Sequence, residues 1–419
     1  MEILSTGDKI RRARIYEGIT LKELCQDKIS ISKMSCIENG KIKADEETLR
    51  YIAMKLGVSY DYLVQDVRGQ IEENIKIIEK GSLIKKELLE LIEYNLKYCI
   101  KCEYYDLAFK IIHELFSIYE DCNNLEHMQL IMAQYYDIYQ KNEIKDNTII
   151  YYKDMAKFFM KIKEYYEAIN YYDKILTMVE KDNFISKNEH INISFNKAIC
   201  YMKLGEMEKA YFIIDKNISD IDSIKEVLVK GNIYNIFACL SIVLNKVNAE
   251  DYIRKSYELL KEDSKLLSKS KARVGRFFYK IGNTENGKKE VLDAINIVYE
   301  CNSNEYIDIL IECVEILYTY KEFEVANEVA DRALNLSICS EDTDLIQKSY
   351  YFKGMILQKK GLYIQAETYM NISTDYFLKY ANTEDTYKRY MEMGELYYNI
   401  SEPREAIKYF TLAMNLIKD

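Results

Sequence analysis

Two sets of side chains in this sequence have the type and spacing for directed polar contacts. The first is cationic: Lys9, Arg11, Arg12, Arg14, Lys22, Lys28, Lys33, Lys41 and Lys43 face only four acidic residues between positions 9 and 43. The whole chain of 419 residues carries 58 Lys and Arg against 68 Asp and Glu, a net charge of -10. A molecule of that sign repels polyanions, so any phosphate contact is confined to the cationic patch. Arg11, Arg12, Ser35, Lys41 and Lys43 are the expected phosphate-contacting groups, which position a polyanion without reading it. The second set is neutral or mixed. Asn192 and Asn196, then Asn232 and Asn235, are read as equivalent outward places ahead of a small residue in successive helices. A ladder of carboxamides both donates to and accepts from a peptide main chain. Arg273 and Arg276 follow one step on and can hold a carboxylate by forked hydrogen bonds, and Glu312 and Glu315 come one step later.

Other chemistries are poorly provided for. The three histidines, His113, His127 and His190, are not spaced as a metal pair, and Cys99-Ile-Lys-Cys102 has no second Cys or His pair at ligand spacing. Gly282 to Lys288 resembles a phosphate loop, but Lys289 stands where a magnesium-holding hydroxyl is needed, and no strand precedes it. No nucleophile elbow or dinucleotide fingerprint is present. We therefore expect no catalysis, no metal and no cofactor. The first eight residues lack a basic start followed by an apolar stretch, and the longest near-apolar run, 236 to 244, is far shorter than the ~20 residues that cross a bilayer. A cytoplasmic protein with no membrane partner is expected, its ten cysteines being free thiols of a reducing compartment.

The elements that must carry these groups are helices. One Pro and 14 Gly in such a length disfavour a sandwich or barrel and predict an all-α fold. Five short helices are punctuated between residues 5 and 66. Lys9 to Tyr16 ends at Gly18, and Thr20-Leu-Lys-Glu23 is a capping box that opens the second. Ser30 or Ser32 caps a third, Ile31 to Glu38, stopped by Asn39-Gly40; Asp45 opens a fourth, closed by Gly57, and Ser59 caps a fifth. In the third, Met34 and Ile37 fall on an inward face, leaving Ile31, Ser32, Lys33, Ser35 and Cys36 to face out, which is the layout of a helix-turn-helix DNA reader. In that layout Ile31, Ser32, Lys33 and Cys36 are the expected base-edge readers, by polar contacts and an apolar contact to a thymine methyl. Residues 67 to 80 read as a linker helix with a hinge at Gly69 or Gly81.

Behind the linker, residues 81 to 419 repeat. Anchors at Ala168, Ala210, Ala326, Ala366 and Ala406 recur at intervals near 40, each preceded by a helix with small and aromatic residues at fixed offsets, such as Tyr350, Gly354 and Leu357. Weaker copies centre on Ala108, Ala249 and Gly287, and residues 120 to 150 fit none; roughly eight helical pairs are expected.

These motifs carry three resemblances. Ile10-Arg-Arg-Ala-Arg14, Gly18-Ile-Thr20 and the run from Ser30 to Gly40 resemble the Xre type of helix-turn-helix domain over residues 1 to 66. That resemblance implies a structural ion pair between Arg14 and Glu38 and a major-groove reading helix at 31 to 38. Leu21 and Ala44 depart from the family's frequent Gln and Pro. The repeats resemble tetratricopeptide repeats, which implies a right-handed superhelix with a concave groove over residues 81 to 419. Together they resemble the RRNPP family of peptide-responsive regulators. The family resemblance implies a cytoplasmic quorum-sensing transcription factor: a homodimer or higher oligomer on a double-stranded operator, bound by a short linear signalling peptide. The alternatives it leaves are an array that sequesters a protein partner, such as a response regulator, or one that only dimerises a constitutive repressor.

Overall fold

The computed structural model describes residues 2–80, 85–122, 124–182, 186–222, 224–299, 306–340, 342–378 and 383–417. Among them every regular element is helical and no strand occurs. The chain divides into two compact units, Met1–Asp182 and Asn183–Asp419. That division falls inside the stretch read as a single array, and the head shares its unit with helices of the array.

Unit 1 begins with a five-helix head: α1 (Thr6–Tyr16), α2 (Leu21–Cys25), α3 (Ile31–Glu38), α4 (Glu46–Leu56) and α5 (Tyr60–Val64). Its starts follow from capping chemistry. Thr20 and Glu23 satisfy each other's backbone N–H groups, at 2.8 and 3.2 Å. Ser30, not Ser32, caps α3 by accepting from the Lys33 N–H, and Asp45 caps α4 by accepting from the Thr48 N–H at 2.8 Å. The first helix begins a turn earlier than its apolar pattern suggests, because Ser5 accepts from the Asp8 N–H. Gly18, Gly40 and Gly57 take positive φ at the turns predicted for them. Ile10, Leu24, Met34, Ile37, Ile52 and Leu63 are all buried in the head's core.

Helix α6 (Val67–Glu79) occupies the stretch expected to be a linker helix, but its Ile71, Ile75 and Ile78 are buried in a core shared with Ile92, Leu96 and Leu107, so it packs as part of the first unit. Gly69 is its third residue, with its N–H donated to the Asp66 carboxylate at 2.7 Å, so the chain does not hinge there. Gly81 lies outside the described residues. Three contacts bind the start of the head to elements later in the unit. Ile3, ahead of α1, is buried among Ile71, Ile75 and Ile92 and donates its N–H to the Tyr94 hydroxyl at 3.0 Å. The Gln70 carboxamide pairs with both backbone polar groups of Leu4. Buried Lys9 donates to the Tyr62 and Gln65 carbonyls, each at 2.7 Å, satisfying the end of α5. The unit continues through α7 (Lys85–Lys101), α8 (Tyr105–Asp121), α9 (Leu125–Lys141), α10 (Lys145–Lys161) and α11 (Tyr165–Asp182). Helix α9 stands between two hairpins, which is why residues 120 to 150 match no repeat.

Among the described residues unit 2 contains six helical hairpins: α12 (Lys187–Lys203) with α13 (Met207–Lys216), then, past the short α14 (Ile218–Ile221), α15 (Val227–Val243) with α16 (Ala249–Leu260). Next come α17 (Ser264–Lys280) with α18 (Thr284–Tyr299), α19 (Ile307–Thr319) with α20 (Phe323–Ser340), α21 (Thr343–Lys359) with α22 (Tyr363–Phe377), and α23 (Thr383–Ile400) with α24 (Pro403–Asn415). The fold is that of tetratricopeptide-like helical repeats. One reason is a small residue at the twelfth place of five of these first helices, Ala198, Ala238, Gly275, Gly354 and Gly394; α19 carries Tyr318 there. A Cβ on Gly354 would lie 2.7 Å from the Met370 side chain, and one on Gly394 would lie 2.5 Å from Phe410. Only a small residue admits that approach. Gly282 to Lys288, the phosphate-loop look-alike, spans the turn after α17 and the first residues of α18, with Gly287 packed on Tyr279.

Candidate nucleic-acid interface and second-unit cleft

In the head, α3 presents one face to solvent. Ile31 and Ser32 are exposed, Lys33, Ser35 and Cys36 are half-buried, and Met34 and Ile37 are sealed inside. The helix is held from beneath. Arg14 lays its guanidinium across Glu38, with Nε to Oε1 at 2.7 Å and Nη2 to Oε2 at 3.0 Å, and donates Nη1 to the Ile19 carbonyl at 3.0 Å. The hydrogen bond to Glu38 raises the Arg14 pKa, so this cation is fixed in the framework. A second clamp is Gly7, which no sequence motif singles out. A Cβ on Gly7 would lie 2.5 Å from the Ile37 carbonyl oxygen and 2.6 Å from that of Glu38, so α1 crosses the end of α3 at backbone contact. The expected polyanion contacts differ from one another. Arg11, Lys41 and Lys43 are exposed, with no carboxylate in ion-pair range among the described residues. Arg12 is paired with Glu2, and Lys33 with Asp45 at 3.3 Å, both at exposed sites where such pairs open readily. Ser35 accepts from the Asn39 side chain at 3.5 Å. Hydrogen bonds from the Thr48 hydroxyl and backbone N–H, with the Lys33 contact, pull the Asp45 carboxyl down to about 2.

Unit 2 holds a cleft of about 690 Å³ walled mainly by α17, α19, α21 and α23, the first helices of successive hairpins, with Met202 and Lys203 of α12 and Phe377 of α22 at its edges. The polar groups expected to line a groove lie in and around it in an unexpected arrangement. Asn192 is exposed and Asn196 half-buried, but Asn235 is fully buried and does not face outward as expected. Asn196 stands two residues before Ala198, whereas Asn235 stands three before Ala238. One residue of register turns a side chain by about 100° around a helix, which sends Asn235 inward. There it donates to the Ser270 carbonyl at 3.3 Å and accepts from Arg273 Nη1 at 2.9 Å; Asn232, half-buried, accepts from the same nitrogen at 3.0 Å. The two carboxamides therefore brace an arginine. Arg276, one turn on, meets Glu312 and Glu315 at 3.4 Å each, so the expected cation and the expected acids neutralise one another across neighbouring repeats.

A cluster at the far wall has no counterpart in the sequence expectations. Arg389, about 5% exposed, is sandwiched between the rings of Tyr351 and Phe377, each centroid 4.4 Å away. It donates to Ser373 Oγ at 2.9 Å and lies 3.5 Å from Glu392, which accepts from the Tyr351 hydroxyl at 2.8 Å. Burial pushes the Glu392 carboxyl up against the opposing pull of Tyr351 and Arg389, and it lowers the Arg389 pKa. These residues come from α21, α22 and α23, so no local motif announces them. Cys99 and Cys102 are free, and among the described residues no group of three His, Cys, Asp or Glu is placed to hold a metal. No helix of the described residues is long and apolar enough to cross a membrane.

No family model matches the chain, and no curated protein does. Solved structures of helical repeat proteins do. The apo quorum sensor NprR from B. thuringiensis is 14% identical over 84% of this chain and 98% of its own, with a TM-score of 0.47. A signal-transduction ATPase with a tetratricopeptide repeat sensor, from Pyrococcus horikoshii, is 14% identical over 98% and 72%, with a TM-score of 0.49. Bacillus thuringiensis PlcR, in complex with the peptide PapR7 and DNA, is 16% identical over 64% and 99%, with a TM-score of 0.34. NprR and PlcR are RRNPP-family members, and the likeness of this chain to them is one of fold.

Proposed function

We propose that the chain is a sequence-specific double-stranded DNA-binding regulator, acting as a homodimer, whose second unit takes a short extended peptide that shifts its DNA-competent state. One observation carries the reading. The exposed face of α3 sits in a head where Arg14 is consumed by the framework while Arg11, Lys41 and Lys43 are left unneutralised at the surface. Fixed reading face and free cations together are what duplex recognition requires: cations position, and the side chains of α3 specify. The acidic remainder limits contact to the head. The peptide half of the reading is supported by a cleft formed from serial first helices and lined by both signs of charge. A peptide there acts only through unequal affinity for DNA-competent and incompetent arrangements. The test is selection of duplexes by the full chain from a random pool. Enrichment of one sequence with two half-sites supports the reading; retention indifferent to sequence refutes it.

A further inference from the structure

Three arginines line the second-unit cleft, and they are not equivalent. Arg276 is covered by Glu312 and Glu315, and Arg389 is buried between two rings beside Glu392. Arg273 differs: its Nη1 is held at 3.0 and 2.9 Å by the neutral carboxamide oxygens of Asn232 and Asn235, and no carboxylate reaches it among the described residues. The brace is itself anchored, since Asn235 is fully buried and donates on to the Ser270 carbonyl. A guanidinium fixed through one nitrogen by two neutral acceptors keeps its charge and its remaining donors, and has already lost much of its rotational freedom. Such a group is matched by a carboxylate, which takes two parallel N–H donors.

Resting on the peptide reading above, we propose that Arg273 is the carboxylate anchor of the cleft, with Asn232 and Asn235 as its positioning residues, and that Arg276 is not an anchor because its charge is spent on Glu312 and Glu315. The peptide accordingly offers a carboxylate, at its C-terminus or on an Asp or Glu side chain. Sequence spacing alone gives Arg273 and Arg276 the same role; the hydrogen bonds separate them.

The experiment uses the full chain and three pools of random seven-residue peptides. One has free C-termini, one is C-terminally amidated, and one is amidated and also lacks Asp and Glu. Retained peptides are counted by mass spectrometry. The expected result is retention from the first pool at least about tenfold above the third, in line with a charge-assisted hydrogen bond. Preference for the first over the second assigns the terminal carboxylate, and equal retention of those two assigns an acidic side chain. Arg273→Gln is expected to abolish the preference, Arg273→Lys to restore it in part, and the neutral triple change Arg276→Gln, Glu312→Gln and Glu315→Gln, which removes the self-compensated cluster whole, to leave it unchanged. Equal retention of all three pools by the native chain overturns the anchor while leaving the peptide reading intact, and so does an undiminished preference in Arg273→Gln. Retention of no peptide from any pool overturns both.

Discussion

The head and the second-unit cleft handle charge in opposite ways. In the head, one half-buried arginine is held against a buried acid to fix the framework, and Arg11, Lys41 and Lys43 stand free in water. In the cleft, the arginines are drawn into the wall, stacked or neutralised, and a single guanidinium is braced by neutral groups instead. The difference teaches where a partner's charge can be accepted. A polyanion is met by many exposed cations whose neutralisation releases counterions. A small ligand is met by one oriented group, because a cleft full of unpaired buried charges would be too costly to fold.

The largest expected effect breaks the head's framework. Glu38→Ala leaves Arg14 half-buried and uncompensated and should cost about 3–5 kcal/mol in the head. Denaturant unfolding followed by hydrogen exchange should show α1 and α3 losing protection while the hairpins of unit 2 keep theirs. Gly7→Ala comes next. The added methyl collides with the carbonyls ending α3, an overpacking cost of about 1–3 kcal/mol. Its melting temperature should fall and its DNA affinity with it; unchanged values for both would deny that the α1–α3 crossing shapes the reading face.

A smaller effect separates reading from positioning. Lys33→Ala should relax the sequence preference on selected duplexes, at the modest cost of also freeing Asp45, whereas Lys41→Ala should weaken cognate and random duplexes alike. Competition binding against both kinds of DNA distinguishes them, and equal losses for the two variants would erase the assignment.

The smallest effect contrasts two carboxyls through pH. Asp45 is held at about 2, below its ordinary value near 3.8, so its capping contribution is present above about pH 4 and fades as pH falls toward 2. Glu392 is shifted up by burial from 4.5, so its sign is reversed: the protonated form is favoured in the fold, and the benefit present below 4.5 is lost as pH rises through the raised value. Carboxyl titrations by NMR should therefore move in opposite directions from the free amino acids, and Asp45→Asn should hurt the head more at pH 6 than at pH 2.5.

How much of this could be read from the sequence depends on the range of the interaction concerned. The capping box at Thr20, the stops at Gly18, Gly40 and Gly57, and the sealed Met34 and Ile37 are local, and each stands where its neighbours in sequence dictate. The small residues at Gly354 and Gly394 were legible for the same reason, through a repeat of fixed length. Gly7 was not, because its necessity comes from carbonyls thirty residues away in the chain. Asn235 was misplaced by a single residue of helical register, and the pairing of Arg276 with Glu312 and Glu315 depends on how neighbouring repeats stack. The Arg389 sandwich needs three helices to converge, and no spacing within any one of them encodes it.

The most direct measurement is the salt dependence of binding by the full chain to its selected duplex. The account predicts a logarithmic affinity that falls steeply and linearly with the logarithm of salt concentration, with a slope shallower by about one in Lys41→Ala. An affinity indifferent to salt, or a slope that Lys41→Ala leaves unaltered, would contradict it.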